Sequence, residues 1–431
     1  MEQLTRPVKQ GQWSESALRV LRERYLDRSG GKVSEGPEDM CWRVASAIAD
    51  AEVTWGKTQE QVYEVASRFY DVMVDGYFQP NSPTLMNAGK DNGLQYSACF
   101  VLPVGDSMDE IFEAVKRAAI IHKSGGGTGF AFSRLRSKDT LVSSTGGKAS
   151  GPVSFLRVFN GATEAVKQGG TRRGANMGIL KVDHPDILEF IHCKLDGGIA
   201  NFNISVTATD PFMQALEKDG EYDLVDPHTR QPTGRLRARE VFDRIVDAAW
   251  RTGDPGLVFI DRVNRSAANP VPELEMIEAT NPCGEQPLAP NDACNLGSIN
   301  LALFARGAEG NGDGGDNGHG TSAISWAELE RVVRTAVRFL DDVIEVNPYP
   351  LPEIVMEVRA NRRIGLGIMG WADLLIQLGI PYDSEAALEL GDRAMEFITT
   401  IGRDESARLA EERGPFPNWP QRIYREGRPI R

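Results

Sequence analysis

Short strand-like segments recur through the middle of this chain, in alternation with longer helix-like stretches. That alternation limits the fold more than any other feature. Candidate strands run from Met177 to Val182, Asn201 to Thr207, Leu257 to Ile260 and Ile364 to Ile368. In the second, Phe202, Ile204 and Val206 alternate with polar or small neighbours, the pattern of a half-buried strand. Val332, Val333, Ala336, Val337, Leu340, Val343 and Ile344 fall at helical spacing, and that helix is expected to end before Asn347-Pro348. Strands alternating with helices imply an α/β architecture. The first part of the chain reads differently. Val62, Val65, Phe69, Val72 and Met73 form one amphipathic helical stripe, so a helical region over residues 1–90 is expected to precede the α/β portion at 91–431.

Composition narrows the class. A chain of 431 residues, 41% of them hydrophobic and 25% charged, can bury a large core. A formal net charge of −13 argues against a general nucleic-acid surface, which relies on clustered Lys and Arg. No apolar run approaches the roughly 20 residues that a bilayer requires, and Met1 to Trp13 carries no signal-like apolar segment. The cytoplasm is therefore the expected compartment, with no membrane partner. The five cysteines (Cys41, Cys99, Cys193, Cys283 and Cys294) include no C-x-x-C. Cys41 and Cys193 read as structural. His122, His184, His192 and His228 lack ligand spacing, so no protein-bound metal site is expected.

Several segments between the strands carry chemistry. Asn81-Ser82-Pro83-Thr84-Leu85-Met86-Asn87-Ala88-Gly89 breaks the helical pattern with turn formers and is expected to expose hydroxyls. Ser107-Met108-Asp109-Glu110 reads as a capping box opening a helix to about His122. The glycine run Ser124-Gly125-Gly126-Gly127-Thr128-Gly129 then leads into a strand-like Phe130-Ala131-Phe132-Ser133. A phosphate-binding P-loop runs from strand through glycines into helix, the opposite polarity, so that reading is disfavoured. Residues 305–322 are rich in Gly, Asp and Asn and read as a flexible surface insertion. In Asn281-Pro282-Cys283-Gly284-Glu285, an extended or hairpin-tip segment can point an amide, a thiol and a carboxylate the same way. A thiol beside a potential base, with Cys294 close behind, suggests covalent, redox or radical chemistry.

With these segments in view, the chain resembles the catalytic subunit of ribonucleotide reductases, most closely the adenosylcobalamin-dependent class II. The matching stretches are NSPTLMNAG, SACFVLPV, KSGGGTGF, TGGKASGPVSF, QGGTRRGANMG, NPCGEQPL, CNLGSINL and RRIGLGIMG, in the family's order from about Leu18 onward. The resemblance implies a ten-stranded α/β barrel of two five-stranded halves, with a central finger loop. It implies that Cys283 becomes a thiyl radical, that Glu285 is the general base, and that Asn281 holds the substrate. Cys99 and Cys294 would supply reducing electrons and end as a disulfide. Thr84, Ala98 and Gly127 match positions lining the ribonucleotide substrate. Asp106 and Arg136 match contacts to a deoxynucleotide effector, as does Arg172 in the loop Gln168 to Gly174.

Further expectations follow from the same resemblance. They are adenosylcobalamin (cobalt) as cofactor, a homodimer, a thioredoxin-like reductant and diphosphate substrates. The C-terminal residues resemble the approach to the second half-barrel, which would be absent from this chain. A second polypeptide completing the barrel, an interrupted gene and a truncated gene all fit that reading. Two alternatives stay open: a class I large subunit, and a catalytically inactive nucleotide-binding or assembly fragment.

Overall fold

A computed structural model describes residues 5–142, 146–168, 172–306 and 324–421. The side chains of 167–173, Arg172 among them, and nearly all of the Gly/Asp-rich stretch lie outside the described residues.

The N-terminal region is helical, as the stripe predicts. Helices Glu15–Arg24, Pro37–Ala49 and Gln59–Val74 are each opened by Ser14, Gly36 and Thr58 respectively. Val62, Val65, Phe69, Val72 and Met73 are all buried, on a helix packed against Pro37–Ala49 and Trp326–Val346. The helical region then feeds a strand, β1 (Phe78–Pro80), into the main sheet.

Its further strands are β2 (Cys99–Leu102), β3 (Gly127–Ala131), β4 (Asn176–Lys181), β5 (Phe202–Ala208), β6 (Gly256–Phe259), β7 (Ala293–Asn300) and β8 (Ile364–Met369). They lie in the order β6-β5-β4-β3-β2-β7-β8, with β1 also paired to β7. The run β2 to β6 is parallel throughout, β7 lies antiparallel to β2, and β8 is parallel to β7. Five parallel strands thus lie side by side, and two strands of the opposite sense extend the same half-barrel sheet beyond β2. Helices Met108–Lys123, Pro152–Ala165 and Ala238–Thr252 cover the outer face, where Phe130, Leu180, Phe202, Ile204 and Val206 form the core. The strands β3 and β4 are buried on both faces, whereas the outermost, β6 and β8, are half-exposed along their length. No helix among the described residues is long and apolar enough to cross a membrane.

Local expectations were met with two corrections. Ser107 caps the Met108–Lys123 helix with the reciprocal Glu110 bond of a capping box. The glycine run, however, is itself strand: β3 begins at Gly127 rather than at Phe130. Its inward positions are occupied by glycine because another segment lies directly on them. The second correction concerns Asn81 to Gly89, which contains a short helix, Ser82–Asn87, capped by the Asn81 side chain. Pro83 suits its first turn, and the turn formers act there as helix-start signals. Thr84 is buried rather than exposed.

One ionic network ties the C-terminal helix to the rest. The Arg413 guanidinium, fully buried, pairs with Glu52 at 2.6 Å, Asp341 at 2.5 Å and Asp342 at 2.7 Å, and lies 3.9 Å from the Trp55 ring. Burial pushes the Asp342 carboxyl well up, with Arg413 opposing it. Removing the cation leaves three buried carboxylates short of their counter-charge. Arg413→Ala is therefore expected to cost about 3–5 kcal/mol of stability, seen as a lowered urea midpoint.

Candidate active site

Residues Ala279–Thr280 and Pro287–Leu288 pair as an antiparallel stem, which makes 281–286 the tip of a finger. The stem residues Ala279 and Leu288 pack against Cys99, Val101, Ala131, Met177, Ile179 and Cys294 on the inner face of the sheet. The finger is seated by glycines beneath it. A Cβ on Gly129 would lie 1.7 Å from the Thr280 carbonyl oxygen, and one on Gly127 would lie 2.6 Å from Pro282 Cγ. Only glycine permits that approach.

The tip is a turn rather than a continued strand. Gly284 donates to the Asn281 carbonyl at 3.1 Å and has φ +85, a conformation that favours glycine. Gln286 N–H donates to Asn281 Oδ1 at 3.0 Å, leaving the amide's nitrogen to face the cavity. That nitrogen donates to Glu285 Oε1 at 2.6 Å and to Cys99 Sγ at 3.0 Å. Cys99 Sγ is 4.0 Å from the same carboxylate oxygen. Asn281, Cys283 and Glu285 do share one space, as the spacing predicts, but the turn brings them together instead of the alternation of a strand. All three line a cavity of about 440 Å³, together with Ala98, Cys99 and Gly127.

Cys99 and Cys294 are directly opposed across the antiparallel ladder of β2 and β7. Facing residues in such a ladder have Cβ atoms about 4.5–5.5 Å apart, against about 3.5–4.5 Å in a disulfide, so a shift of roughly 1 Å closes the bridge. Burial pushes the Cys294 thiol well up, and the neighbouring Cys99 adds to the effect. Cys283 is the exposed cysteine of the five. Cys41 and Cys193 are buried far from the cavity, and burial raises each to about 12. Among the described residues no group of His, Cys, Asp and Glu is arranged to hold a metal ion.

The other expected site residues divide. Thr84 does not reach the cavity: its hydroxyl sits 2.6 Å from Asn81 Oδ1 and 3.1 Å from the Tyr96 carbonyl. The wall there is Ser82, whose hydroxyl is 2.8 Å from that of Tyr25. Asp106 and Arg136 are paired elsewhere, at the outer end of the sheet. The Arg136 amide and guanidinium each reach Asp106 at 2.7 Å, and His228 bonds to the same carboxylate. Burial opposes the Asp106 charge, but these donors hold it below the usual carboxylate range.

The sequence reading missed a buried acidic cluster behind Cys294. Asp292, Glu275 and Glu357 gather around Arg363, which pairs with Asp292 at 2.5 Å and with Glu275. Asn361 donates to Glu275 at 2.9 Å and Glu357 at 2.6 Å. Burial, with Glu275 adding to it, raises Asp292 to about 6 despite Arg363. Burial and the bond to Glu275 raise Glu357. Carboxyls that hold their protons more tightly folded than unfolded make the fold lose stability as pH rises through that window. Stability is therefore expected to fall as pH rises from about 4 to about 6 on account of Asp292, and further above it on account of Glu357. Glu357→Gln should flatten the upper part of that profile, read as urea midpoints across pH 4–9.

Comparison with known proteins bears on this geometry. Residues 97–430 match the family described as "Ribonucleotide reductase, barrel domain", and residues 12–93 match "Ribonucleotide reductase, all-alpha domain". The chain belongs to the ribonucleotide reductase family. A "Vitamin B12-dependent ribonucleoside-diphosphate reductase" of Thermoplasma acidophilum is 47% identical over 460 residues, covering 94% of this chain and 58% of its own length. One of the same name from Mycobacterium tuberculosis is 48% identical, covering 93% and 56%. The "Ribonucleoside-diphosphate reductase large subunit" of Vaccinia virus is 30% identical, covering 93% and 53%. The chain spans about half the length of the curated relatives it matches. Within the ribonucleotide reductase family, the greater likeness is to relatives named for vitamin B12.

Proposed function

We propose that this chain carries the substrate-reducing chemistry of an adenosylcobalamin-dependent ribonucleotide reductase, acting on ribonucleoside diphosphates. The observation that supports this best is the finger tip. It gathers an exposed thiol, a carboxylate and an amide at one cavity that Cys99 also lines, with Cys294 opposed to Cys99 across the ladder behind it. A cavity of about 440 Å³ lies within the usual range for a small-molecule ligand of about 300–1,000 Å³.

In this reading Cys283, as a thiyl, takes the hydrogen atom from the ribose C3′. Glu285 accepts the 3′-hydroxyl proton, a role that requires hydrogen-bond reach. The 2′-hydroxyl then leaves as water. Cys99 and Cys294 deliver two electrons and two protons and become a disulfide, and Cys283 returns its hydrogen atom to C3′. The antiparallel placement of Cys99 and Cys294 suits that step, because the bridge forms with little movement. An external dithiol of the thioredoxin kind restores the pair by exchange. Adenosylcobalamin, when bound, supplies the initial radical by cleavage of its cobalt–carbon bond. Cys283, exposed at the finger tip, is the residue that would receive that radical. Asp106 and Arg136 are proposed as contacts to a deoxynucleotide effector in a homodimer. The half-exposed β6 and β8 are the edges at which further strands would complete the barrel, on this or another polypeptide.

The test is an assay of the 431-residue chain for ribonucleotide reduction with adenosylcobalamin, dithiol and effector. It is run alone and with a separately expressed second half-barrel from a close relative. Reduction in the mixture is the expected result. Reduction that depends on a radical-generating metal subunit instead of cobalamin would move the chain to class I. Silence in both, with a folded chain and a competent complement, would leave the nucleotide-binding fragment as the better reading.

A further inference from the structure

Strand β5 is buried at every position except Asn203. Phe202, Ile204 and Val206 point outward into the core beneath the helices, so Asn203 points into the barrel, where the finger lies. Its Nδ2 donates to the Pro282 carbonyl at 2.8 Å. Three facts make that bond consequential. Pro282 is buried, and a buried carbonyl needs a donor. Proline has no N–H, so this carbonyl is the only backbone group through which residue 282 can be held. The carbonyl also belongs to the peptide that joins Pro282 to Cys283, so fixing it fixes the plane from which the Cys283 side chain departs.

The surroundings share the load unevenly. Gly127 and Gly129 let the finger come close by leaving room for Pro282 and the Thr280 carbonyl. The Asn281–Gln286 and Gly284–Asn281 bonds are internal to the tip and would travel with it, and the bond of the Asn281 amide to Cys99 Sγ on β2 holds a residue two positions from Cys283 rather than its own peptide. Met177, the register partner of Asn203 on β4, offers only an apolar contact near Gly284. Asn203 is thus a polar side chain from the rigid sheet that tethers the peptide beside Cys283.

We propose that Asn203 is a positioning residue for Cys283, holding the thiol in register with the substrate cavity through the Pro282 carbonyl. This rests on the reading of Cys283 as the radical-carrying thiol. Asparagine suits the task because its amide nitrogen donates at any pH, whereas an ionised carboxylate of the same shape can only accept.

The test is amide hydrogen exchange over residues 281–286 in the 431-residue chain, followed by kinetics in the completed barrel. Asn203→Ala should speed exchange at the tip roughly fivefold, the loss of one ordinary hydrogen bond, with the global unfolding equilibrium shifted by no more than that same factor. Asn203→Asp should match the parent at low pH, where its carboxyl keeps an O–H to donate. It should exchange faster above its own pKa, after correction for intrinsic rates. In the completed barrel Asn203→Ala should lower kcat on the order of tenfold or more, with KM held. Unchanged tip exchange in Asn203→Ala, or an Asn203→Asp profile parallel to the parent, overturns the tether. Retained turnover by Cys283→Ser would instead overturn the radical reading, and the positioning role with it. The two failures are therefore distinguishable.

Discussion

Gly129→Ala is expected to lift the finger off the sheet and to lower turnover of the completed enzyme by on the order of 10²-fold or more. The added methyl would sit 1.7 Å from the Thr280 carbonyl oxygen and 2.9 Å from its carbon. Both are backbone atoms, so no rotamer change relieves the contact. Ordinary contact distances require the stem to retreat by roughly 1.5 Å, and misplacement of about 1 Å is enough to cost two orders of magnitude in rate. Overpacking should also lower stability by about 1–3 kcal/mol. The obvious objection is that any glycine replaced in a barrel would do the same. Gly161, exposed on the Pro152–Ala165 helix with open space around its Cα, answers it. There Gly161→Ala should raise stability by roughly 0.5–1 kcal/mol and leave turnover alone. Unfolding midpoints and turnover for the pair decide the matter: equal behaviour would mean that the finger does not rest on Gly129.

How much of this was legible in the sequence depends on what each residue faces. The strand β5 showed in its apolar/polar alternation because one face packs on helices, so Phe202, Ile204 and Val206 carry the period, while β4, β6 and β8 showed only as short apolar or glycine-containing runs between helices. The strands β2 and β7, which bear Cys99 and Cys294, gave no such signal. The run Cys99–Leu102 is short, apolar and buried at every position, so it carries no period, and Asn295 and Ser298 interrupt the apolar pattern of β7. The tip chemistry was legible from Asn281, Cys283 and Glu285, although the turn that unites them depends on Gly284 and on the Asn281–Gln286 bond. Thr84 and Ser82 could not be separated, because which hydroxyl faces the cavity depends on the start of a short helix at Asn81. The acidic cluster around Arg363 was invisible for a plainer reason. Glu275 and Asp292 lie far along the chain from Glu357 and Arg363, and each alone reads as a surface charge. Asn203 had a signal, since it falls on the face opposite Phe202 and Ile204, but its partner Pro282 is close only in three dimensions.

Cys283→Ser should abolish reduction, by a factor on the order of 10⁴ or more, while leaving the fold intact. The two parts of that expectation have separate physical grounds. Cys283 is exposed at the finger tip, so exchanging sulfur for oxygen changes little packing and should move stability by no more than about 0.5 kcal/mol. The chemistry is affected because an O–H bond is much stronger than S–H, and a serine cannot be converted to a radical able to pass hydrogen to and from C3′. Cys99→Ser and Cys294→Ser should fail differently. With Cys283 intact, hydrogen abstraction can still occur, but the pair can no longer supply two electrons, so substrate is consumed or inactivates the enzyme without a deoxynucleotide product. Glu285→Gln keeps an acceptor for the Asn281 amide yet removes the base, so it should bind substrate normally and turn over slowly. Single-turnover product analysis, run beside unfolding curves for each variant, separates these cases. A Cys283→Ser enzyme that still makes deoxynucleotide would falsify the thiyl mechanism. If both redox-pair variants gave the same product pattern as Cys283→Ser, the division of labour between the finger thiol and the Cys99–Cys294 pair would have to be abandoned.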